Sequence, residues 1–530
     1  MDVLLLTTPT LDAFDNPLVE SNPRKVAKWL DELPLLNPAE TVMPVLAALQ
    51  SLNRQPLAEK DRLRLLELYQ AAVNAMFNAF TLRALRQVPL SAAQREQIKH
   101  GVMQLCLELA GGYKGLVVLA HQQRRTPADE PALLLAAYRA MQQLVQALLH
   151  CFRTYEPVPV RIYLEIHQLY GWTEAAGVAD SIIRQEGKTL SVSLLYRRAL
   201  LMCCGDPARL SEDEVLRVYA LLESYAALAQ LVAGRCVPPH EGQFAFDLYS
   251  DAPPRPCAKV DQQTRVTQPS VLDARAVATA MRSRAEAEAE AGAHGDDEGR
   301  LLRLLLPHFE AMPQRVMPRQ ATQMPVLVAT GIAALHYFLS DTQRLKQAQE
   351  QAREDAPSDR DSAPQIDRHR LDAWHINNES ESGYLLCCTR RQTNLRVGEL
   401  LGVLMTERAD APAALELTVV RWMRHGPENG LEIGVERLVG AAAPVVCRFE
   451  ADGDSVARQC LFLPSSSRQI MQATLLVPKR FYARGQRLHV EVGGKRLVVE
   501  SGHLVMDTAC FDRFVFHALG EADVAVSDDA

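Results

Sequence analysis

The apolar residues of this chain change their spacing once, near residue 324, and that change limits the folds the chain can adopt. Between about residues 22 and 235, apolar residues recur every three or four positions, as in EKDRLRLLELYQAAVNAMFNAF, which is typical of helices. From about Met324 onward, runs such as LELTVVRWMR and RLHVEVGGKRLVVE alternate like strands. A chain of 530 residues is also too long for a single core. The predicted fold class is α+β multidomain, with an N-terminal antiparallel all-α helical array, then a β-barrel and a further C-terminal β region.

Composition shifts along the chain predict four segments. Residues 1–245 predict an all-α helical domain of about seven or eight helices joined by short turns. Residues 246–310 combine clustered prolines with an Ala/Glu-rich run and predict a linker and connecting helix. Residues 311–445 predict the first β-barrel, with a highly charged insertion at about 341–370. Residues 446–530 predict a C-terminal β domain, whose relation to the first barrel the sequence leaves open.

Charge and cysteine usage exclude several classes of protein. The net charge is −7, which argues against bulk nucleic-acid binding. The N-terminus lacks the basic segment of a signal peptide, and no uncharged apolar run of about 18 residues predicts membrane insertion. The eleven cysteines form no C-x-x-C pair, so we expect reduced, mostly buried thiols without disulfides or zinc. These features favour a cytoplasmic protein.

Motifs of enzymes are absent from the sequence. We find no H-E-x-x-H, no P-loop, no G-x-G-x-x-G after a strand and no G-x-S-x-G elbow. Histidines occur singly, which is more typical of surface or core residues than of metal ligands. The sequence therefore predicts a protein that is not an enzyme and has no metal or cofactor.

Two short motifs in the β half are candidates for a ligand site. Arg315 and Arg319 stand at R-x-x-x-R spacing just before the first strand-like run. Asn378, Ser380 and Gly383 form an N-x-S-x-x-G turn before a later strand. Either motif alone is weak, since arginine pairs are common and polar turns with glycine usually only connect strands. Because the two motifs occur in this order and each precedes a strand, together they indicate a ligand site more strongly than either motif does alone.

With these motifs in this order, the segment from about residue 310 to 445 resembles the PilZ domain family, the bacterial receptors for cyclic di-GMP. The family carries R-x-x-x-R ahead of the first strand of a six-stranded barrel and D/N-x-S-x-x-G further on. The gap between the motifs is longer here than is usual, and the charged insertion accounts for the excess. The resemblance implies that Arg315, Arg319, Asn378, Ser380 and Gly383 bind cyclic di-GMP.

The chemistry of these residues suits that ligand. An arginine fork binds a phosphate or the O6/N7 edge of guanine bidentately, and its plane stacks on a base, which lysine cannot do. Asn378 and Ser380 supply hydrogen bonds from a rigid barrel edge, and Gly383 lets the backbone turn close to the ligand. Pro318 keeps the arginine segment extended.

Competing interpretations remain open at the sequence level. The arginine pair could end the preceding helix and interact with its dipole. The turn could be a plain connection in a barrel that has lost its ligand, and Glu379 and Glu381 would repel phosphate unless they point away. For Trp422, a place in the barrel core or a barrel–helix contact is favoured over base stacking. Arg390, Arg391 and Arg396 favour a solvated turn over a phosphate-steering patch.

The leading hypothesis is a cyclic di-GMP receptor that passes the second-messenger signal to an unidentified protein partner through the helical domain. The resemblance implies an output in motility, surface attachment or polysaccharide production. The alternative is a ligand-independent scaffold with a degenerate PilZ-like barrel. A single-stranded nucleic-acid binder is a weaker third hypothesis, since the net charge is negative and aromatic residues make up only 6% of the chain.

Overall fold

The computed structural model describes residues 3–521 except 15, 17, 82–84, 86, 87, 89, 186, 237, 261–265, 291–296, 311–317, 355–368, 389–394, 406–413, 427–429, 452–453, 466–471 and 493–494. The described residues up to Glu310 form one compact unit, and those from Pro318 onward form a second. Twelve α-helices and eighteen strands lie in the described residues. The predicted α+β multidomain fold is confirmed.

The first unit begins with the helical array that the sequence predicts. Its first eight helices are α1 (Pro23–Glu32), α2 (Pro38–Arg54), α3 (Glu59–Ala79), α4 (Ala92–Gln122), α5 (Pro131–Thr154), α6 (Ile162–Ala175), α7 (Val192–Cys204) and α8 (Glu212–Leu221). Local sequence sets where helices begin. The Asn22 side chain accepts hydrogen bonds from the first backbone N–H groups of α1, and Pro23 occupies its first position. Ser211 and Glu214 form a capping box at the start of α8.

Helices α4 and α5 form the centre of this unit. Both are long and apolar enough to cross a membrane by composition, but 67% and 72% of the relevant stretches are buried within the protein. They are accordingly core helices of the array. A buried ion pair joins α4 to α6 and to the N-terminal segment: Lys114 Nζ lies 2.6 Å from Glu165 Oε2, and Glu165 also accepts from the backbone N–H of Thr7 at 2.7 Å. This pairing lets two charges remain inside the core.

Two small sheets and two further helices complete the first unit. Strands β1 (Ile183–Gln185) and β2 (Lys188–Leu190) form a hairpin. Strands β3 (Gln230–Ala233), β4 (Gln243–Asp247), β5 (Arg255–Pro256) and β6 (Pro269–Asp273) form a sheet in the order β3-β6-β4-β5, and helices α9 (Arg275–Glu290) and α10 (Asp297–Glu310) follow.

Strands β5 and β6 and helices α9 and α10 lie within residues 246–310, for which the sequence predicts a linker and a connecting helix. Phe244 and Phe246 of β4 are buried in the same core as α4 and α5, as is Phe309 of α10. Over its described part the segment is therefore packed structure. The strands are only two to five residues long and carry prolines, so they lack the alternation that marks a strand in sequence.

Two buried histidines couple the stability of the first unit to pH. His150 lies against Phe80 and its Nε2 is 2.8 Å from the carbonyl oxygen of Lys99. His167 stacks on Phe246, and its Nδ1 is 2.7 Å from the Tyr196 hydroxyl. Burial lowers the pKa of His150 to about 3 and that of His167 to about 4. Both side chains are therefore neutral in the folded protein.

We expect the first unit to lose stability as the pH falls from 7 to 5. In the unfolded chain both histidines titrate near their usual pKa of about 6.5. Between that pH and pH 5 the unfolded state therefore binds protons that the folded state does not bind, which favours unfolding. Each histidine should lower the free energy of unfolding by roughly 2 kcal/mol at pH 5. Thermal unfolding at both pH values measures this. His167→Gln should reduce the pH dependence, and an unchanged dependence in that variant would contradict the assignment.

The second unit begins with a closed six-stranded antiparallel barrel. Its strands are β7 (Gln320–Thr330), β8 (Asp372–Ser380), β9 (Gly383–Cys388), β10 (Leu400–Met405), β11 (Glu416–His425) and β12 (Leu431–Arg437). Around the barrel they follow the order β10-β11-β12-β9-β8-β7, and β7 pairs with β10 to close it. Helices α11 (Ile332–Ser340) and α12 (Thr342–Glu354) follow β7 in the chain, and α12 lies in the segment predicted as a charged insertion.

Residues from 443 onward form a second closed barrel of β13 (Ala443–Ala451), β14 (Asp454–Leu463), β15 (Thr474–Pro478), β16 (Arg487–Val492), β17 (Lys495–Asp507) and β18 (Phe511–Glu521). Their order is β13-β14-β15-β18-β17-β16. When the strands of each barrel are counted from its own first strand, both read 1-2-3-6-5-4. The second barrel therefore repeats the topology of the first, and β16 pairs with β17 as an antiparallel hairpin whose Gly493 and Gly494 lie outside the described residues.

Helix α11 joins the two barrels. The apolar run MPVLVATGIAALHYFL, which the sequence predicts as one strand, divides at Gly331. The φ of +87° at Gly331 ends β7 before α11 begins. Leu335 and Phe338 of α11 are buried in one core with Leu400 of the first barrel and Leu461 of the second. A nine-residue apolar helix is too short to show helical spacing clearly, which explains why the sequence predicts a strand here.

Candidate ligand-binding site

Strand pairing brings Arg319 and the N-x-S-x-x-G motif to one end of the first barrel. Arg319 directly precedes β7, where Gln320 pairs with Glu379 and Ala321 pairs with Asn378 of β8. The backbone at Arg319 is therefore next to the end of β8 that carries the N-x-S-x-x-G motif. Arg319 and Asn378 are about sixty residues apart in sequence, but they lie at neighbouring strands. Such strands are about 4.8 Å apart in a sheet.

The arginine motif is described in part. Arg319 is exposed, and Arg315 lies outside the described residues. Arg319 is not helical and directly precedes β7, and its exposed side chain is accessible to a ligand.

The N-x-S-x-x-G motif forms a two-residue hairpin. Ser380, the last residue of β8, pairs with Gly383, the first residue of β9, and Glu381 and Ser382 connect them. The Ser380 hydroxyl is 3.3 Å from both the carbonyl oxygen of Gly383 and the hydroxyl of Ser382. A bulge in β8 between Ile376 and Asn378 resets which side chains face outward before the hairpin.

Asn378 and Ser380 share the outer face of the barrel. Leu386 of β9 is fully buried, so its neighbour Leu385 points to the other face, and Leu385 pairs with Asn378. Ser380 lies two residues further along the same face. Since this face is open to solvent, both side chains can donate or accept hydrogen bonds to a ligand lying against the barrel wall.

Glu379 lies on the opposite side of β8 from these two residues. It pairs with Tyr384, which is buried, and its carboxylate is 3.6 Å from the Arg437 guanidinium. The strand alternation and this ion pair therefore direct one acidic neighbour away from the face that carries Asn378 and Ser380. The expected repulsion of a phosphate by Glu379 is reduced for the same reasons.

Gly383 is required by packing against the neighbouring strand. It lies in extended backbone at the start of β9, where a Cβ atom would fall 1.9 Å from the carbonyl oxygen of Val435 on β12 and 3.2 Å from the Cα of Glu436. The sequence suggests that this glycine permits a turn and a close ligand approach. The structure shows a different reason: only glycine lets β9 and β12 pair at this point.

Arg437 is a residue at this site that the sequence does not reveal. It ends β12, and its backbone N–H donates to the carbonyl oxygen of Ser382 at 2.9 Å. Its Nη1 donates to the carbonyl oxygens of Ser380 at 3.3 Å and Glu381 at 3.4 Å. Arg437 therefore holds three successive residues of the hairpin, two through its side chain and one through its backbone N–H.

The other side of the Arg437 guanidinium is held by an aromatic ring and two carboxylates. Its Cζ lies 4.1 Å from the centre of the Tyr384 ring, and Nη2 donates to the Tyr384 hydroxyl. Nε is 2.9 Å from Glu416 Oε1, and that carboxylate also accepts from the Tyr384 hydroxyl at 2.5 Å. Burial and the hydrogen bond to Glu416 raise the pKa of Tyr384 well above its usual value, so it stays a neutral donor. These residues are far apart in sequence, and no local motif signals them.

Trp422 lies on the barrel wall over a glycine. It pairs with Gly434 of β12, where a Cβ atom would fall 2.0 Å from the indole Nε1. The Trp422 side chain is half-buried, and the Arg424 guanidinium sits 5.1 Å from the ring centre. Trp422 therefore lies on the barrel wall and not in the barrel core, and Gly434, Leu385 and Asn378 put its ring in the same row of paired residues as the motif.

The remaining predicted arginines add no described cation to the site. Arg390 and Arg391 lie outside the described residues. Arg396 is exposed and its Nη2 is 3.6 Å from Glu399 Oε2, as expected of a solvated turn. Within the part of the chain that the structure describes, no cluster of three His, Cys, Asp or Glu side chains could hold a metal ion.

Sequence comparisons cover almost the whole chain. Residues 24–235 match the family described as the N-terminal domain of the cyclic-di-GMP receptor FimW. Residues 243–374 and 343–444 match its middle PilZ domain, and residues 446–519 match its C-terminal β-barrel domain. The middle match begins upstream of the predicted barrel and includes strands β4, β5 and β6 of the small sheet, whereas β3 lies in the N-terminal match.

A curated relative supports the same assignment. The protein named cyclic-di-GMP receptor FimW of Pseudomonas aeruginosa (strain ATCC 15692 / PAO1) is 24% identical over an alignment of 577 residues. That alignment covers 97% of this chain and 93% of the relative. The three domains therefore occur in the same order in both proteins.

Proposed function

We propose, from the premise that this chain belongs to the PilZ family, that it is a cyclic di-GMP receptor whose first barrel carries the ligand site. The observation that supports this most directly is the pairing of β7 with β8, which sets Arg319 beside Asn378 and Ser380 at one barrel end. The FimW relative is named for the same ligand and shares the domain order. The family is one of receptors and not of enzymes.

Each motif residue has a distinct role in the proposed site. Arg315 and Arg319 close over the ligand from the segment before β7, and their forks bind phosphate or the guanine O6/N7 edge. Asn378 and Ser380 donate or accept hydrogen bonds from the outer face of β8. Gly383 keeps that hairpin seated against β12.

The receptor passes the signal on by a population shift. The ligand orders the segment that contains Arg315 and Arg319 against the barrel. This ordering changes how the barrel docks on the neighbouring parts of the chain. The output is in motility, surface attachment or polysaccharide production, through a protein partner bound by the helical unit in the cytoplasm. The family resemblance supports these outputs without choosing among them.

The competing proposal is a ligand-independent scaffold with a degenerate barrel. Two observations favour the receptor. Asn378 and Ser380 point outward from the barrel, and Glu379 lies on the opposite side of β8. A degenerate site needs neither arrangement.

Isothermal titration of the full chain with cyclic di-GMP tests the proposal. We expect a dissociation constant of about micromolar or tighter, because two arginines each contribute bidentate contacts and the hairpin is already ordered. GMP and cyclic AMP serve as matched nucleotide controls and should bind far more weakly. If the folded protein binds no cyclic di-GMP, the receptor hypothesis is wrong and the ligand-independent scaffold is the remaining hypothesis.

A further inference from the structure

We propose that Arg437 is a positioning residue for the cyclic di-GMP site: it holds the 380–383 hairpin in its binding geometry and neutralises the carboxylates beneath it. This inference rests on the proposed function and extends it to a residue outside both motifs. Arg437 does not lie in the row of outer-face residues that carries Asn378. It acts through the hairpin backbone.

The geometry separates two contributions of Arg437. The first is order, because its guanidinium donates to the carbonyl oxygens of Ser380 and Glu381, and a hairpin loop without those bonds samples more conformations. A ligand that binds one of those conformations must then pay the ordering entropy.

The second contribution of Arg437 is charge. Glu379 and Glu416 lie 3.6 Å and 2.9 Å from its guanidinium nitrogens, so removing Arg437 leaves two carboxylates without this partner near a site for a dianionic ligand. The Tyr384 ring fixes the plane of the guanidinium, which a lysine ammonium cannot reproduce. Lysine therefore restores the charge without restoring the fork.

Three variants separate these contributions. In Arg437→Ala we expect the affinity for cyclic di-GMP to fall about tenfold, because the hairpin loses both its order and the charge that neutralises the carboxylates. Amide hydrogen exchange in the hairpin should become faster, while exchange in the paired core residues Leu386 and Ile433 stays slow. Arg437→Lys should recover part of the affinity but not the slow hairpin exchange. Arg458→Ala is the matched control, since Arg458 also stacks on an aromatic ring, Phe481, but in the second barrel.

The outcomes distinguish the inference from the proposed function. If the wild-type chain binds cyclic di-GMP and Arg437→Ala binds equally well, the positioning role is wrong and the receptor stands. If the wild-type chain does not bind, both fall. A loss of affinity with core exchange as fast as hairpin exchange would mean that Arg437 only stabilises the barrel, and this also overturns the inference. Should the alanine variant fail to fold, the lysine variant carries the same comparison.

Discussion

Replacing Arg315 and Arg319 together with alanine should weaken cyclic di-GMP binding by at least about thirtyfold while both barrels stay folded. Each bidentate arginine contact is worth about 1–3 kcal/mol, so losing two weakens a micromolar site by roughly thirtyfold to more than ten-thousandfold. Arg319 is exposed and precedes the first strand, so its removal opens no cavity in the barrel core. Isothermal titration measures the affinity, and circular dichroism with thermal unfolding reports the fold.

The chain offers a matched control for this double variant. Arg480 and Arg484 stand at the same R-x-x-x-R spacing in the second barrel, and both are exposed. Arg480→Ala/Arg484→Ala therefore removes the same two charges from the same molecule. We expect its affinity to be that of the wild-type chain. Equal losses in the two double variants would show that only net charge attracts the ligand, and the specific site would be wrong.

The sequence predicts those parts of the site that depend on local chemistry. The Asn378, Ser380 and Gly383 motif contains the residues that a tight connection between strands prefers, and the structure forms a hairpin there. The placement of Arg319 before a strand follows from the change of period. Both features are encoded within a few residues, which is why a single sequence is enough.

The parts that the sequence does not predict depend on pairing between distant segments. Arg437 reaches the hairpin only because β12 pairs with β9, and the register of that pair is set by the closed barrel. The bulge in β8 turns Asn378 outward, and a one-residue change in register would send it inward. A polar side chain near a strand end carries no local sign of either fact.

The small sheet at β3–β6 and the helix α11 were missed for a different reason. Their elements are short, and short apolar segments fit helix and strand spacing equally well. Tertiary packing decides between the two. Leu335 of α11 is fully buried between the barrels, and Leu272 of β6 is fully buried in the core of the first unit.

Gly383→Ala should be the most damaging single substitution at this site. The new Cβ atom would meet the carbonyl oxygen of Val435 at 1.9 Å, and its nearest neighbours are backbone atoms of β12 that no side-chain rotation can move. Strands β9 and β12 must separate where Gly383 pairs with Glu436. We expect a loss of about 3 kcal/mol or more in the free energy of unfolding of the barrel unit, at the upper end of overpacking costs.

The same substitution should also lower cyclic di-GMP affinity at temperatures where the barrel remains folded, because displacing Gly383 moves the hairpin that carries Ser380. Differential scanning calorimetry measures the first effect and titration at low temperature the second. Gly115→Ala is the control, since this helical glycine has no atom within 4 Å of an added Cβ. It should be neutral or stabilising by up to about 1 kcal/mol, the helix preference of alanine over glycine. A Gly383→Ala protein with wild-type stability would show that β9 and β12 can shift apart at little cost, and the packing requirement at Gly383 would be wrong.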